Sequence, residues 1–594
     1  MSYRRKKLLA LFCATALSMT AVAGCTGTKS STGNVVSSET ETNAEETSAQ
    51  SEAGTFSSAD MFTERDLAGT YEESGAVYVT LSDDGITGET DGVVIKGQTV
   101  TITAEGTYIF SGTLSEGQIV VDADNAKVQI VFDNVDITCA SSAAVYVKSA
   151  EKVFVTLAEG SQNTLRNTDE YVAIDDNNID AVIFAKSDLT LNGTGSLTII
   201  SAEGHGIVSK DDLKITGGKY DITAAGHALS GKDSVRIADG TFILTAEKDG
   251  IHAENADDEE KGYIYIADGD FTITSDGDGM DASNIVQIED GTLDITAGGG
   301  AANSLKTHES DVPGGPGGGM PQNGEKLDGE SMPQMGEKPD GENMPQDTTT
   351  DESGTSTKGI KAGGGMYLNG GTYQIDSADD SIHSNANITI ADGTYTLATG
   401  DDGVHADDAL IVNGGTITVT ESYEGLEGLT VTINDGTIDI TASDDGINTA
   451  GEKMELNGGY IHILAGGDGV DSNGDLTING GEIYIDGPSD NGNSAIDYGD
   501  RSSAYVNGGT LVAIGSSGMA EGMSDSSKQK VLMVKLGEQM EAGNVVLTDS
   551  EGNVIVSYTA LKTYDCVIIS TAEVESGATY TLTTSGTTTE VTAE

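Results

Sequence analysis

A short motif that recurs about every 22 residues limits the fold of this 594-residue chain more than any other feature. The motif is an apolar residue, one variable residue, Asp or Gly, and a final Gly. Successive final glycines such as Gly218 and Gly240, or Gly393 and Gly415, are 22 residues apart. Self-similarity at a fixed period is typical of repeat proteins, in which each unit packs on its neighbours.

Each repeat contains short runs in which β-branched apolar residues alternate with polar residues, as in 415–420 and 430–434. This alternation indicates half-buried strands, and the Gly, Asp and Asn residues that end each run favour turns. A β-propeller blade needs about 40 residues or more. Neither the Leu consensus of leucine-rich repeats nor a calcium-binding nonapeptide repeat is present. The sequence therefore predicts an all-β protein, a right-handed parallel β-helix with about 22 residues per coil.

The composition divides the chain around this repeat. Residues 61–515 are predicted to form the β-helix. Residues 308–358, rich in Gly, Pro, Met and Glu, are predicted to be a disordered loop inserted in one coil. Residues 520–594 lose the repeat and are predicted to form a small C-terminal β module that covers the open end of the β-helix. Residues 25–60 are rich in Ser, Thr, Glu and Ala, and we expect a disordered tether.

The N-terminal residues predict the location of the protein. Four basic residues at 4–7 precede the short apolar stretch 8–19 and the sequence Val-Ala-Gly-Cys at 22–25. This is the pattern of a signal peptide, and it resembles the bacterial lipoprotein class, in which cleavage precedes an acylated Cys. We expect residues 1–24 to be a lipoprotein signal peptide and Cys25 to anchor the protein at the extracellular face of the cell membrane. An ordinary secretory signal with a chance Cys is the alternative.

The charge balance restricts the partners of the protein. The chain has 30 Lys and Arg residues against 96 Asp and Glu residues, a net charge of -66. Such a surface repels phosphate, which excludes nucleic acid as a partner. It favours bound cations, although it also fits simple solubility outside the cell. We expect a monomer that touches the membrane only through its lipid.

Alignment of the coils reveals two rows of polar residues, which we call the acidic ladder. The first row, just before a recurring Gly or its equivalent, contains Asp249, Asp278, Asp380, Asp402, Glu424, Asp445, Asp468 and Asp490. Three coils carry a second carboxylate one position earlier, at Asp379, Asp401 and Asp444. The second row, three positions later, contains His252, Asp281, Lys361, His383, His405, Glu427, Asn448, Asp471 and Asn493.

The spacing of the coils gives this ladder its chemistry. Equivalent residues of neighbouring coils lie about 4.8 Å apart, and two carboxylates at that distance repel by about 3–4 kcal/mol at an effective dielectric constant of 20. Calcium accepts six to eight oxygen ligands in flexible geometry and would relieve this repulsion. A transition metal and simple turn capping by Asp remain alternatives. The predicted calcium ligands are Asp249, Asp278, Asp281, Asp379, Asp380, Asp401, Asp402, Glu424, Asp444, Asp445, Asp468 and Asp471.

The densest part of the ladder carries a family resemblance. Residues 400–408 (GDDGVHADD) are followed by 412–417 (VNGGTI), 421–428 (ESYEGLEG) and 443–448 (SDDGIN). This succession resembles a family of clostridial surface carbohydrate-binding proteins, whose β-helix is similar to that of pectate-type polysaccharide lyases. The resemblance covers roughly residues 60–590. It implies cellulose or pectin-like polygalacturonate as the ligand, and bound calcium.

Three functions remain open from the residues. The first is a surface protein that binds polysaccharide. The second is a calcium-dependent polysaccharide lyase with Lys361 or Lys306 as the base, although ion pairs within an acidic ladder raise the pKa of a lysine. The third is a surface adhesin or scaffold, and the sequence favours binding. The candidate ligand contacts are His383, His405, Tyr423, Glu427 and Asn448, with Tyr373, Tyr395, Tyr460 and Tyr484 as further stacking residues.

Overall fold

The structure is a computed structural model that describes residues 56–258, 260–306, 356–499 and 501–593. The expected signal peptide at 1–24, the expected lipidation site Cys25, most of the expected tether and nearly all of the expected loop at 308–358 lie outside the described residues.

The strands form three stacks. Apart from the antiparallel pair of Val93–Lys96 and Thr99–Ile102 at the start of the first stack, each strand pairs in parallel with the equivalent strands one coil earlier and one coil later. The strand Thr241–Ala246 pairs in register with Lys219–Ala224, so that Phe242 lies beside Tyr220 and Leu244 beside Ile222. Its residues alternate between exposed and buried, as the sequence pattern indicates. The predicted parallel β-helix is confirmed.

The first stack carries the acidic ladder. Its strands are Val93–Lys96, Thr99–Ile102, Gln118–Asp122, Val145–Ser149, Ala181–Ala185, His205–Ser209, Leu229–Gly231, Ile251–Ala253, Met280–Ala282, Ile360–Ala362, Ile382–Ser384, Val404–Val412, Leu426–Ile433, Ile447–Leu456, Val470–Ser472 and Ile496–Tyr498. The long strands Val404–Val412, Leu426–Ile433 and Ile447–Leu456 continue into the second stack.

The second stack follows the first along the chain in each coil. Its other strands are Val77–Leu81, Gly106–Leu114, Lys127–Thr138, Lys152–Leu157, Asp188–Gly193, Asp212–Ile215, Ser234–Ile237, Tyr263–Ile266, Val286–Ile288, Met366–Leu368, Ile388–Ile390, Asp475–Ile478 and Ala504–Val506.

The third stack completes each coil. It begins at the end of Gly106–Leu114, which pairs with the end of Lys127–Thr138. It continues through Gln162–Asn167, Ser196–Ser201, Lys219–Ala224, Thr241–Ala246, Asp270–Ser275, Thr292–Ala297, Thr372–Ser377, Thr394–Thr399, Thr416–Glu421, Thr437–Ala442, Tyr460–Ala465, Glu482–Asp486 and Thr510–Gly515.

One continuous apolar core runs inside the stacks, because the inward residues of every coil meet those of the next. Aromatic rings stack along it, with centroids 4.7 Å apart for Phe242 and Phe271 and 4.5 Å apart for Tyr373 and Tyr395. Tyr373 and Tyr395 are 1% and 0% exposed, and their hydroxyls donate hydrogen bonds to backbone carbonyls. The expectation that these two tyrosines stack on sugar rings is therefore wrong.

The recurring glycines are required by the turns. Gly459 has a φ of +84°, a region that side chains other than glycine rarely adopt. A Cβ atom on Gly459 would lie 2.7 Å from the carbonyl oxygen of Gly436, one coil earlier. The close approach of backbone to backbone between coils explains why the motif keeps its final Gly.

The N-terminal part of the described chain packs on the side of the β-helix. Two short α-helices, Ser58–Met61 and Glu64–Ala68, precede the first strand. Elsewhere in the chain, a 3-10 helix at Ala301–Asn303 follows the strand Thr292–Ala297. The ring of Phe56 lies 4.3 Å from that of Tyr263. Residues 56–60, which the composition assigns to the tether, therefore include a packed aromatic side chain and the start of a helix. Neither α-helix of the described residues is long and apolar enough to cross a membrane.

The C-terminal module is a separate set of antiparallel strands, as predicted. Tyr564–Ser570 pairs with the last strand of the third stack, Thr510–Gly515, and with Leu532–Met540, so it covers one of the edges left open by the last coil. A four-stranded sheet with its own apolar core completes the module. Its strands are Gly543–Thr548, Val554–Ala560, Thr579–Thr583 and Thr588–Thr592.

Candidate functional site

The first row of the acidic ladder holds successive coils together. In six of its residues, one carboxylate oxygen accepts a hydrogen bond from the backbone N–H one coil later: Asp249, Asp278, Asp380, Asp402, Asp445 and Asp468. Asp402 Oδ1 accepts from Glu424 N at 3.2 Å, and Asp445 Oδ1 accepts from Asp468 N at 2.6 Å. The hydrogen bond between coils therefore occupies one carboxylate oxygen of each of these residues. The other oxygen is available to a cation.

Two histidines extend the first row toward the N-terminus. His205 Nδ1 accepts a hydrogen bond from His227 N at 2.8 Å, and His227 Nδ1 accepts one from Asp249 N at 3.2 Å. Burial lowers the pKa of His205 to about 3, so it acts as a neutral acceptor. Burial also lowers the pKa of His227, although its Nδ1 lies 3.0 Å from Asp249 Oδ2, which opposes this shift. Sequence analysis missed them, although the intervals from His205 to His227 and from His227 to Asp249 are both 22 residues.

The second row lies on the outward side of the first stack. Strands such as Ile251–Ala253 bury their two end residues and turn the middle residue outward. Their register places these middle residues in one line: His252, Asp281, Lys361, His383, His405, Glu427, Asn448, Asp471 and Asp497.

The last rung differs from the sequence alignment. Asp468 caps the backbone N–H of Ser494, and Asp471 pairs with Asp497, so the predicted members Asp490 and Asn493 are wrong. The extra residues of this coil form a loop that precedes the strand Ile496–Tyr498. A count of 22 residues from Asp468 therefore falls inside the loop.

Three lysines neutralise the middle of the ladder. Lys358 Nζ lies 2.6 Å from Asp380 Oδ2 and 2.9 Å from Asp379 Oδ1. Lys306 Nζ lies 2.7 Å from Asp401 Oδ2 and 3.1 Å from Asp379 Oδ1. Burial opposes the charge on both lysines, but these carboxylates raise the pKa of each above its ordinary value. Lys358 was missed because its position at the end of the Gly- and Pro-rich segment assigned it to the loop.

The third lysine, Lys361, occupies the second row. Its Nζ lies 3.4 Å from Asp281 Oδ1 and 3.5 Å from Asp278 Oδ2. Burial opposes its charge, but the two carboxylates raise its pKa. A general base must lose its proton near the working pH, so neither Lys361 nor Lys306 has the environment of a catalytic base.

Histidines supply positive charge at other rungs. His252 Nδ1 lies 3.0 Å from Asp249 Oδ2, and His405 Nδ1 lies 3.1 Å from Asp402 Oδ2 and 3.3 Å from Glu427 Oε2. Burial opposes protonation, but these carboxylates raise the pKa of each imidazole to about 10. His383 Nδ1 lies 2.8 Å from Asp380 Oδ2. We call the rungs from Asp249 to Asp402 the paired segment.

The coil that contains Glu424 and Glu427 lies between the paired segment and the last rungs of the ladder. Burial and the neighbouring carboxylates raise the pKa of Glu424 to about 11 and that of Glu427 to about 8. Asn448 Nδ2 donates a hydrogen bond to Glu424 Oε2 at 2.9 Å. Tyr423, a predicted sugar contact, is partly buried, and its backbone N–H donates to the Asp401 carbonyl at 2.6 Å.

The last rungs form a cluster of carboxylates, which we call the acidic end: Asp444, Asp445, Asp468, Asp471 and Asp497. Ligand atoms of Asp445, Asp468 and Asp471 all lie within 4.8 Å of one another. Burial and nearby carboxylates raise their pKa values to about 8, 7 and 6 respectively. In the described part of the chain, no Lys, Arg or His side chain forms an ion pair with these three residues.

Asn448 adds an oxygen beside this cluster, because it precedes Asp471 in the second row. Its Oδ1 atom is buried and accepts no hydrogen bond from the described residues. A buried oxygen without a donor is unfavourable unless a cation or water satisfies it. The donor set of the acidic end is therefore all oxygen, the set that hard divalent cations prefer.

Residues 96–403 and 401–551 match the model of the family of carbohydrate-binding domain-containing proteins. These segments include every rung of the paired segment and the acidic end. The chain belongs to this family.

One relative in the family is a carbohydrate-binding domain-containing protein of Acetivibrio thermocellus, which is 43% identical over 131 residues. The match covers 22% of this chain and 46% of the relative, so the chain spans about half the length of the curated relative it matches. The structure of the polysaccharide lyase-like protein from C. thermocellum, a gadolinium derivative, is 37% identical and covers 38% of this chain and 92% of that chain, with a TM-score of 0.37.

Proposed function

We propose that this protein is a lipid-anchored cell-surface protein that binds plant-type polysaccharide, cellulose or polygalacturonate, and that it holds calcium at the acidic end of the ladder. Membership of the carbohydrate-binding domain family supports the ligand class. The cluster of Asp445, Asp468 and Asp471, without a cationic side chain among the described residues, is the single observation that carries the calcium proposal.

The donor chemistry fits calcium. The carboxylates and Asn448 Oδ1 are all oxygen ligands, and calcium takes six to eight of these in flexible geometry. Repulsion between carboxylates at the spacing of the coils amounts to about 3–4 kcal/mol per pair at an effective dielectric constant of 20. A bound calcium ion would supply positive charge to the cluster and a bridge to the carboxylates of a uronate polymer.

Calcium is restricted to the acidic end because the other predicted ligands have partners. Lys306, Lys358 and Lys361 contact the carboxylates of the middle rungs, and His252 and His405 contact those on either side. These side chains provide the charge that a metal would otherwise supply.

The environment of Lys306 and Lys361 favours polysaccharide binding over polysaccharide cleavage. A polysaccharide lyase needs a base that accepts the proton next to the uronate carboxyl. Burial opposes the charge on Lys306 and Lys361, but their acidic partners raise the pKa of each above its ordinary value, which makes them poor proton acceptors at neutral pH.

The lipid anchor rests on the sequence at 22–25. We expect the Cys25→Ser variant to lose incorporation of labelled fatty acid and to be misprocessed or released from the cell. A variant that fractionates with membranes as completely as the wild type would contradict the anchor.

Co-sedimentation with cellulose and calcium-dependent retention on immobilised polygalacturonate test the ligand proposal. We expect a chelator to weaken retention on polygalacturonate and Asp445→Asn with Asp468→Asn to weaken it equally. The control Asp239→Asn with Asp392→Asn removes the same charge from two exposed turns that cap only their own glycines. Release of unsaturated products that absorb at 235 nm would instead indicate a lyase.

A further inference from the structure

An open groove of about 610 Å³ lies at the start of the third-stack strands in the last four coils of the β-helix. Its floor is formed by the turn glycines Gly436, Gly459, Gly481 and Gly509, and its walls include Tyr460 and Glu482. We call it the glycine groove. It lies within the matched segment 401–551 and contains no residue of the acidic ladder.

The shape of the glycine groove follows from the repeat. The four glycines have φ values between +84° and +124° and pack backbone to backbone, so no side chain fills the floor. Beside them, exposed amides of Asn434, Asn457, Asn479 and Asn507 form a hydrogen-bonded ladder with distances of 2.8 to 2.9 Å. The floor is thus a fixed surface that exists without a ligand.

Tyr460 departs from the pattern of its row. The first residue of the third strand is Thr in five successive coils: Thr292, Thr372, Thr394, Thr416 and Thr437. The next two coils carry Tyr460 and Glu482 instead. The fold therefore accepts Thr at this place, and packing of the β-helix does not explain the tyrosine.

The ring of Tyr460 is exposed and supported from behind. Its side chain is 43% exposed, its ring centroid lies 5.7 Å from that of Tyr484, and Tyr484 stacks on Tyr558 of the C-terminal module at 5.2 Å. The Tyr558 hydroxyl donates a hydrogen bond to the buried Asp486. This row of rings holds Tyr460 in place, which reduces the entropy lost when a ligand binds.

The charge of the groove selects its ligand. Asp435 and Glu482 are its two charged residues, and no basic residue belongs to the described lining. Carboxylates repel an anionic polymer but accept strong hydrogen bonds from hydroxyl groups. The exposed ring of Tyr460 beside the open glycine groove suits the flat, C–H-rich face of a pyranose ring.

We propose that the glycine groove binds a neutral polysaccharide chain, with Tyr460 stacking on a sugar ring and Glu482 accepting hydrogen bonds from sugar hydroxyls. The inference rests on the proposed polysaccharide-binding function and assigns its neutral ligand to this surface. Binding here needs no calcium, because the groove is separate from the acidic end.

Affinity electrophoresis in gels that contain hydroxyethyl cellulose tests this proposal with the full mature chain. We expect Tyr460→Thr, which restores the residue of the five preceding coils, to bind roughly tenfold more weakly than the wild type. Tyr78→Thr is the matched control, because Tyr78 is also an exposed strand tyrosine, 57% exposed, and lies far from the groove in sequence. Chelation of calcium should leave the retardation by hydroxyethyl cellulose unchanged.

The same variants in gels that contain polygalacturonate and calcium separate this inference from the proposed function. Tyr460→Thr should retain calcium-dependent retardation there, which shows that the variant is folded. The inference is overturned if hydroxyethyl cellulose does not retard the wild type, or if it retards Tyr460→Thr equally. Loss of the calcium effect in polygalacturonate gels, with the Tyr460 effect intact, would overturn the calcium proposal alone.

Discussion

The paired segment and the acidic end share one backbone arrangement and differ in how their charge is balanced. In both, a carboxylate of the first row caps the N–H of the next coil, as Asp402 and Asp445 do. In the paired segment, Lys358 and His252 contact the remaining oxygens. In the acidic end, the described residues offer no such partner. The repeat therefore fixes where the carboxylates stand, but neutralisation is specified coil by coil.

The two regions also differ in protonation. Burial favours the neutral form of Asp380, yet Lys358 and His383 lower its pKa well below the ordinary value. Burial and neighbouring carboxylates raise the pKa of Asp445 to about 8. Asp380 is thus held ionised by its cationic partners, whereas Asp445 needs a cation to ionise fully at neutral pH. Asp401 shows that the paired segment is not uniform, because burial and the neighbouring Asp402 and Asp380 raise its pKa to about 8 despite Lys306.

Removing the cation from the paired segment should have the largest effect. Lys358→Ala removes the lysine that Asp379 and Asp380 share and leaves them Lys306 and His383 as cationic partners. Removal of one partner from a buried ion pair costs up to about 3–5 kcal/mol. We expect a clear fall in the melting temperature. Lys127→Ala, which breaks an exposed pair with Glu151, is the control and should change it little. Equal shifts in the two variants would mean that the paired segment does not depend on its lysines.

The pH dependence of the calcium-free protein should distinguish the acidic end. Asp445, Asp468 and Asp471 have pKa values above that of an unfolded Asp, so their contribution to stability is full below the unfolded pKa and is lost as pH rises through about 6 to 8. Each pKa unit corresponds to about 1.4 kcal/mol per group. With chelator present, thermal melts should show lower stability at pH 8.5 than at pH 5.5. Burial and neighbouring carboxylates also raise the pKa values of Asp401 and Glu427 to about 8. Asp445→Asn with Asp468→Asn should therefore make this profile shallower without abolishing it, and an unchanged profile would contradict the assignment.

Two deletions that differ in whether they remove Lys358 test the boundary of the inserted segment. The shorter deletion should have the smallest of these effects. Residues 308–355 are rich in Gly, Pro and Met, whereas Lys358 belongs to the paired segment. Deletion of 308–355 should leave the melting temperature nearly unchanged. Deletion of 308–358 should lower it as Lys358→Ala does. Similar melting of the two deletion variants would show that residues 356–358, Lys358 among them, contribute little to stability.

Much of the fold could be predicted because the period fixes the register. The 22-residue interval aligned Asp249, Asp402 and Asp445 correctly, since each coil adds one strand to each stack. The 22-residue interval predicted the wrong residue where an insertion lengthens a coil: it selected Asp490, whereas Ser494 occupies this position in the structure. It also failed at Tyr373 and Tyr395, because the sequence did not establish which residues of the third stack point inward.

The electrostatics of the site could not be predicted from the repeat. Lys306 and Lys358 lie outside regular strands, at the two borders of the inserted segment. Their contact with Asp379 depends on how the chain enters and leaves that coil. Composition assigned Lys358 to a loop, and only the three-dimensional arrangement shows that the middle carboxylates are already neutralised.

Isothermal titration of the chelator-treated protein with calcium tests the central claim most directly. The wild type should bind calcium, and a hundredfold excess of free calcium over Kd should stabilise it by about 2.7 kcal/mol. Asp445→Asn with Asp468→Asn should lose the binding at the acidic end, while the control Asp239→Asn with Asp392→Asn should bind as the wild type does. Equal calcium binding by all three proteins, or none by the wild type, would contradict the assignment of the acidic end as the calcium site.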